Sequence, residues 1–387
     1  MSNAIKILLV EDSDDDTYQL IRYLKKEGIK FSYLRVWLRE TFINALKEDD
    51  YDLIIADQML PQFSGIEAFR IAKKENKGIP FILITGSVSE RTLMEYAKEG
   101  VNDYILKDNL LRLSLAIDNV LSRKRIENLH QELELSYSEI RSSIDYANLI
   151  QRAMLPDEFV LRSKFPGSFV YFHPKDILSG DFYWFREEEN IFSVAVADCT
   201  GHGIPGALLS MMGINILYEI IVTKKATQPS VILSNLNKQV QKVLRNGVTT
   251  LNDGMDIAIC SIDLLNMNMM YAGANRPLFI GRGDSIIEYK PDKKSIGGID
   301  NNKIHFNNHH IPLQSGDRIF LFTDGYADQF SDKTDKKMTV KRLKDVLSLT
   351  VGLKSDEQKK YIINYFEDWK GNKEQIDDVL LLCVQIQ

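Results

Sequence analysis

The sequence is poor in the features that mark the more specialised classes of protein. Its 387 residues include three cysteines, Cys199, Cys260 and Cys383, which have no metal-ligand spacing. Two of them lie in apolar runs, which argues against a disulfide framework and fits a reducing compartment. There is no basic stripe, and the net charge is −6, so nucleic acid is not expected as a partner. No apolar stretch is expected to reach the ~20 residues that span a bilayer. The run Ile5–Val10 is short and leads into acidic residues, unlike a signal peptide. The expectation is a cytoplasmic protein with no membrane partner. The remaining composition, 44% hydrophobic and 26% charged, is that of soluble globular chains, at a length that suits two or three domains with their own cores.

Three segments are predicted. Over residues 1–121, short apolar runs (Ile5–Val10, Leu53–Ala56, Phe81–Thr85, Tyr104–Leu106) alternate with amphipathic stretches such as Tyr18–Lys26 and Gly65–Lys74. That alternation predicts an α/β domain, a doubly wound parallel sheet with helices on both faces. Residues 122–156 form a linker with no Gly or Pro between Ser122 and Met154. Here Ile126, Leu133, Ile140, Ala147 and Met154 recur every seven residues. The companion positions Leu129, Ser136, Ser143 and Ile150 include two serines, so the pattern predicts a coiled-coil seam weakened in its middle. Such a helix would run roughly 45–50 Å and stop before Pro156; a solvated helix packed on its own domain is the competing reading. Residues 157–387 carry strand-like runs at Ile191–Ala197, Ile257–Asp263, Ile319–Phe322 and Val379–Ile386. Helical segments at Gly203–Ile221 and Pro229–Arg245 lie between them, which predicts a layered α/β sandwich.

In the first segment Glu11-Asp12, Asp57, Thr85 and Lys107 each stand at the end of a predicted strand. In a doubly wound sheet those ends gather in one crevice. Carboxylates held together there repel by about 4 kcal/mol per pair at 4 Å and an effective dielectric of 20, which a hard divalent cation relieves. Singly, each is an ordinary loop acid; jointly they point to a site. With Leu60-Pro61 and Ser64-Gly65 after Asp57, the pattern resembles the flavodoxin-like receiver domain of two-component response regulators. The resemblance implies that Asp57 accepts a phosphoryl group from a sensor histidine kinase or phosphotransfer protein. It also implies that Glu11, Asp12, Asp57 and the Met59 carbonyl hold Mg²⁺, that Thr85 and Lys107 touch phosphoryl oxygens, and that Tyr104 is the aromatic switch. Asp108 stands where many receivers have proline.

The third segment has a second acidic set: Ser179-Gly180-Asp181, Asp198-Cys199-Thr200-Gly201-His202-Gly203, Thr323-Asp324-Gly325 and Asp377-Asp378. Oxygen-only donors favour Mg²⁺ or Mn²⁺ over zinc. Order and spacing resemble the SpoIIE-type branch of the PPM metal-dependent protein serine/threonine phosphatases, whose fold is an α/β/β/α sandwich. The resemblance implies a two-metal centre of Asp181, Asp198, the Cys199 carbonyl, Asp324 and Asp377, with catalysis through a metal-activated water. Either Asp377 or Asp378 can be the last ligand, alignment favouring Asp377. Gly201, His202 and Gly203 open a helix whose N–H groups suit an anion, and Asn275 falls near the substrate. Asp256 either belongs to the site or caps a strand, and Lys175 either meets phosphate or is solvated.

Other signals are set aside. Adjacent His309 and His310 would point to opposite faces of a strand, and Met267, Met269 and Met270 read as turn and core. The expected function is dephosphorylation of phosphoserine or phosphothreonine on a partner, an anti-sigma-factor antagonist by resemblance, in a homodimer joined through the linker. The alternative is a phosphorylation-gated protein that sequesters its partner without turnover.

Overall fold

The computed structural model describes residues 4–75, 78–86, 90–245, 252–298 and 305–387, in two compact units, Met1–Glu139 and Ile140–Gln387.

The first unit runs β1 (Ile5–Val10), α1 (Asp14–Lys26), β2 (Phe31–Val36), α2 (Arg39–Glu48), β3 (Leu53–Asp57), α3 (Gly65–Lys74), β4 (Phe81–Thr85), α4 (Glu90–Glu99) and β5 (Asp103–Leu106). All pairings are parallel, in the order β2-β1-β3-β4-β5. This is the flavodoxin-like order, with its crevice at the carboxyl ends of β1 and β3. Every residue of β3 and β4 is buried, because helices cover both faces. One face packs Phe42, Leu46, Ile66 and Phe69 from α2 and α3, the other Leu20 and Leu24 from α1. Ser64 and Glu67 close a capping box that starts α3 at Gly65. The cap contributes about 1 kcal/mol and fixes the exit of the loop after Asp57. β2 is absent from the sequence expectations: Ser32, Tyr33 and Leu34 at this sheet edge are exposed, so no apolar run marks it.

The helix α5 (Leu113–Met154) is continuous, starting well before the linker boundary expected at 122. Leu113, Ala116, Ile117 and Val120 bury in the first unit's core, residues 125–143 are exposed throughout, and Met154 packs against the second unit's core.

The second unit comprises α6 (Glu158–Lys164), β6 (Phe169–His173), β7 (Phe182–Glu188), β8 (Ile191–Cys199), α7 (Gly203–Tyr218), α8 (Pro229–Leu244), β9 (Met255–Asp263), β10 (Asn268–Ala274), β11 (Leu278–Arg282), β12 (Ser285–Tyr289), β13 (His309–Pro312), β14 (Arg318–Phe322), the single turn α9 (Gly325–Asp328), α10 (Thr339–Thr350), α11 (Ser355–Lys370) and β15 (Val379–Gln385). Two antiparallel sheets, β13-β10-β9-β8-β7 and β12-β11-β14-β15-β6, pack face to face. Period-2 alternation assigns the layers. In β8, Phe192, Val194 and Val196 point between the sheets, while Ala195, Ala197 and Cys199 meet α7 and α8. In β15, Leu380, Leu382 and Val384 point inward, and Leu381 and Cys383 meet α10 and α11. The result is a helix–sheet–sheet–helix sandwich. The three cysteines are buried and free.

One expectation is corrected. The segment Gly203–Thr223, α7 with its continuing turn, is long and apolar enough by composition to cross a membrane. Its apolar character has another cause here: Ile214, Ile216, Leu217, Ile220 and Ile221 are buried and fill the core under β7–β10.

Candidate functional site

In the first unit the crevice forms as the strand ends dictate. Glu11 follows β1, Asp57 ends β3, and both are buried, whereas Asp12 is exposed. Ligand oxygens of Glu11, Asp12 and Asp57 lie within 4.8 Å of one another. Lys107, next after β5, reaches in: its Nζ is 2.8 Å from Asp57 Oδ2 and 3.6 Å from Glu11 Oε2, and it also bonds Asp16. Burial opposes the lysine's charge, yet the bonds to Asp16 and Asp57 outweigh it and hold the ammonium pKa above its ordinary value. Burial pushes the Glu11 carboxyl up. Thr85 is buried at the end of β4. The Met59 N–H lies 3.4 Å from Asp57 Oδ1 with its side chain exposed, and Tyr104 is partly buried against the core. Asp16, in the first turn of α1, was not among the expected residues.

In the second unit the acids come from strand ends of both sheets. Asp198 lies inside β8, directly opposite Asp256 of β9. Asp324 follows neighbouring β14, Asp377 precedes β15, and Asp181 precedes β7. Thr323 Oγ1 donates to Asp181 Oδ2 at 2.6 Å, orienting a carboxylate that is almost wholly buried. Burial, then the Asp198 charge, pushes the Asp181 carboxyl well above its ordinary range. Asp198 is pushed up to about 8, by burial and then by its acidic neighbours, against the opposing pull of Arg276. Asp377 is raised, mainly by burial. Carboxylates that raise one another's pKa are short of positive charge, and their all-oxygen chemistry fits hard divalent ions.

The Asp377/Asp378 ambiguity gains a structural distinction. Both Asp378 oxygens are engaged, one accepting from the Lys175 N–H and the other from the Gly180 N–H, each at 2.8 Å. Asp378 therefore ties down the loop before Asp181. Asp377 Oδ1 accepts only the neighbouring Asp378 N–H among the bonds seen, leaving it the better placed of the two to face a cation.

Gly201, His202 and Gly203 sit where expected, at the start of α7. The fit is close: a Cβ on Gly180 would lie 2.5 Å from the Gly201 carbonyl oxygen and 3.2 Å from that of Cys199. His202 is the N-cap of α7 without a side-chain cap bond. It pairs with Asp176 at 2.7 Å, and Lys175 Nζ is 3.4 Å from its other nitrogen. Asn275, at φ +57°, turns inward, donating to Asp256 Oδ1 at 3.0 Å and Ser295 Oγ at 2.9 Å. It supports Asp256, which thus belongs to the acid cluster's surroundings. His309 stacks on Tyr271, and its Nε2 lies 3.1 Å from the Lys290 carbonyl oxygen.

Residues not assigned from the sequence complete the site. Arg276 enters the cluster on Asp198 and Asp324. Gln151, near the end of α5, bonds the loop that carries Asp181. Arg276 adjoins Asn275 in a recognisable turn, and that adjacency was the available signal; nothing local marks Gln151 among the other polar residues of its helix.

Comparison with known proteins finds relatives of both units. Residues 188–387 match the family described as Stage II sporulation protein E (SpoIIE), and residues 7–118 match the response regulator receiver domain. Phosphoserine phosphatase RsbU of Bacillus subtilis is 28% identical over 202 residues, 51% of this chain and 57% of RsbU. Transcriptional regulatory protein RprY of Bacteroides fragilis is 29% identical over 126 residues, 32% of this chain and 52% of RprY. The chain thus spans little more than half the length of either relative. The SiaA-PP2C domain of Pseudomonas aeruginosa superposes with a TM-score of 0.60 at 28% identity, covering 66% of this chain and all of that domain.

Proposed function

The chain belongs to the SpoIIE family, and on that premise we propose that it is a metal-dependent phosphatase of phosphoserine or phosphothreonine on a partner protein, controlled by phosphorylation of its receiver. The observation that carries this reading is the convergence of Asp181, Asp198, Asp324 and Asp377 on one place, where Arg276 joins Asp198 to Asp324 and where burial, with their acidic neighbours, raises the carboxyls of Asp181, Asp198 and Asp377.

In this reading those four carboxylates and the Cys199 carbonyl hold two Mg²⁺ or Mn²⁺ ions. Such ions, when bound, activate water and polarise the phosphoryl oxygens. The chain's own residues do the rest. Thr323 orients Asp181, Asp378 fixes the loop before it, and the Gly201-His202-Gly203 turn presents the N-terminus of α7 to the phosphoryl anion. In the receiver, Glu11, Asp12, Asp57 and the Met59 carbonyl hold one Mg²⁺ and Asp57 takes the phosphoryl group from a kinase or phosphotransfer partner. Thr85 and Lys107 meet its oxygens, with Tyr104 as the switch.

The phosphoserine substrate class is supported by the likeness to RsbU, and an anti-sigma-factor antagonist is the substrate type that the family resemblance favours. The exposed seam of Ile126, Leu129, Leu133 and Ile140 supports a homodimer through α5. Three free buried thiols support a cytoplasmic site of action. The competing sequestering role gives no reason to gather four acids at neighbouring strand ends. The deciding experiment is Mn²⁺-dependent hydrolysis of p-nitrophenyl phosphate and a phosphoserine peptide by the full chain. Folded protein without metal-dependent turnover on either would leave only sequestration.

A further inference from the structure

Arg276 is held in a turn whose backbone is pinned on both sides. Its N–H donates to the Ala274 carbonyl at 2.8 Å, and its own carbonyl accepts from Tyr271 Oη at 2.6 Å. The side chain is largely buried, and a single nitrogen, Nη2, serves three acids. It bonds Asp198, lies 2.8 Å from Asp324 and 3.7 Å from Asp256. Its Nε is buried with no hydrogen-bond partner among the described residues.

This is not how a guanidinium knits a fold. Arg282 shows the contrast: its Nε and Nη2 each bond one oxygen of Asp317, at 2.8 and 2.6 Å, the two-pronged geometry that suits a permanent ion pair. Arg276 instead places one corner of its fork among several carboxylates, as a compact cation would sit. Two of those acids, Asp198 and Asp256, face each other across β8 and β9, an arrangement that is destabilising unless a positive charge lies between them. Among the described residues, the only trio of acids, histidines or cysteines closing within 4.8 Å is Glu11, Asp12 and Asp57 of the receiver. Around Arg276 the acids stand farther apart.

We propose that Arg276 is a resident cation that competes with the metal for Asp198 and Asp324, so that the guanidinium must leave these oxygens before a divalent ion takes them. The inference rests on the metal-centre reading above. Arg276 thereby stabilises the metal-free fold and raises the metal concentration at which the site fills.

Mn²⁺ titration of the metal-free, full-length protein by calorimetry tests this, using wild type, Arg276→Gln, Arg276→Lys and Asp198→Asn. The receiver acids are intact in all four and contribute equally. Arg276→Gln is expected to bind Mn²⁺ about 10- to 100-fold more tightly, since charge-assisted hydrogen bonds no longer have to be broken. Its melting temperature in EDTA should fall below that of wild type and recover with Mn²⁺. Arg276→Lys, which keeps the charge but not the reach to two acids, should lie between, and it carries the test if Arg276→Gln does not fold. Unchanged or weaker Mn²⁺ binding in the folded arginine variants overturns the proposal. If Asp198→Asn binds as many Mn²⁺ ions as wild type with equal affinity, the metal-centre reading fails instead.

Discussion

Gln151 and Ser179 hydrogen-bond to each other twice. Gln151 Nε2 donates to the Ser179 carbonyl at 2.6 Å, and the Ser179 N–H donates to Gln151 Oε1 at 3.2 Å. The same amide donates to Ser210 Oγ on α7 at 2.8 Å, and Ser179 Oγ accepts the Asp181 N–H at 3.1 Å. The last turn of α5 is thus joined, through one buried side chain, to the backbone that aims Asp181. Gln151→Leu would leave buried backbone groups unpaired, at a cost of about 1–3 kcal/mol. The expected result is a lower melting temperature and a lower Mn²⁺-dependent turnover. Turnover equal to wild type in the folded variant would show that this clamp does not reach the Asp181 loop.

Gly180→Ala tests the packing of the loops. The added Cβ would lie 2.5 Å from the Gly201 carbonyl oxygen, a backbone atom that no rotamer change can move aside. The expected outcome is separation of the Asp181 and Asp198 segments, with activity falling more than stability. Rates and melting curves measured on one preparation separate the two effects.

Asp198→Asn and Asp181→Asn each remove a formal charge from the cluster. Loss of at least ~10²-fold in turnover is expected, the scale of a major electrostatic contribution to catalysis. Near-wild-type rates in both folded variants would remove these residues from the centre.

Acetyl phosphate with Mg²⁺ should label the wild-type receiver and should not label Asp57→Asn. Lys107→Ala should retain the acceptor and lose the cation that lies 2.8 Å from it. Labelling that survives Asp57→Asn would place the acceptor elsewhere, with Asp12 the first alternative.

Phosphorylation should act through α5. Ile140, 58% exposed, sits at the centre of the proposed dimer seam, beside serines at 136 and 143 that would leave such a seam marginal, as a two-state element requires. Ile140→Asp should weaken the dimer and blunt the change in phosphatase rate on phosphorylation of Asp57. Solution mass and initial rate, measured with and without acetyl phosphate, decide it. A protein that is monomeric throughout, or a response that Ile140→Asp leaves intact, makes α5 a passive tether.

What was legible in the sequence follows from burial. β1, β3, β4, β8, β9, β14 and β15 are covered on both faces. They therefore read as largely apolar runs, and the acids at their ends stand out as poor core residues. β2 and β12 are edge strands with exposed or half-exposed residues, so their sequences carry no run to recognise. The apolar stretch from Gly203 shows the limit of such reading, because composition cannot separate a core helix from a membrane helix; only the sheet packed against it does.

The sequence by itself determined the two-domain order, the layered fold classes and the carboxylates that the strand ends deliver. It did so because hydrophobic period and strand-end position are local properties, written within a few residues. Tertiary structure alone decided what surrounds those carboxylates. Thr323 meets Asp181 across 142 residues, Arg276 meets Asp198 across 78, and Gln151 meets Ser179 across 28. A hydrogen bond between such distant positions leaves no periodic trace in either segment. Whether a polar residue faces water or a buried charge is settled only when the sheets close and exclude the solvent that would otherwise satisfy it.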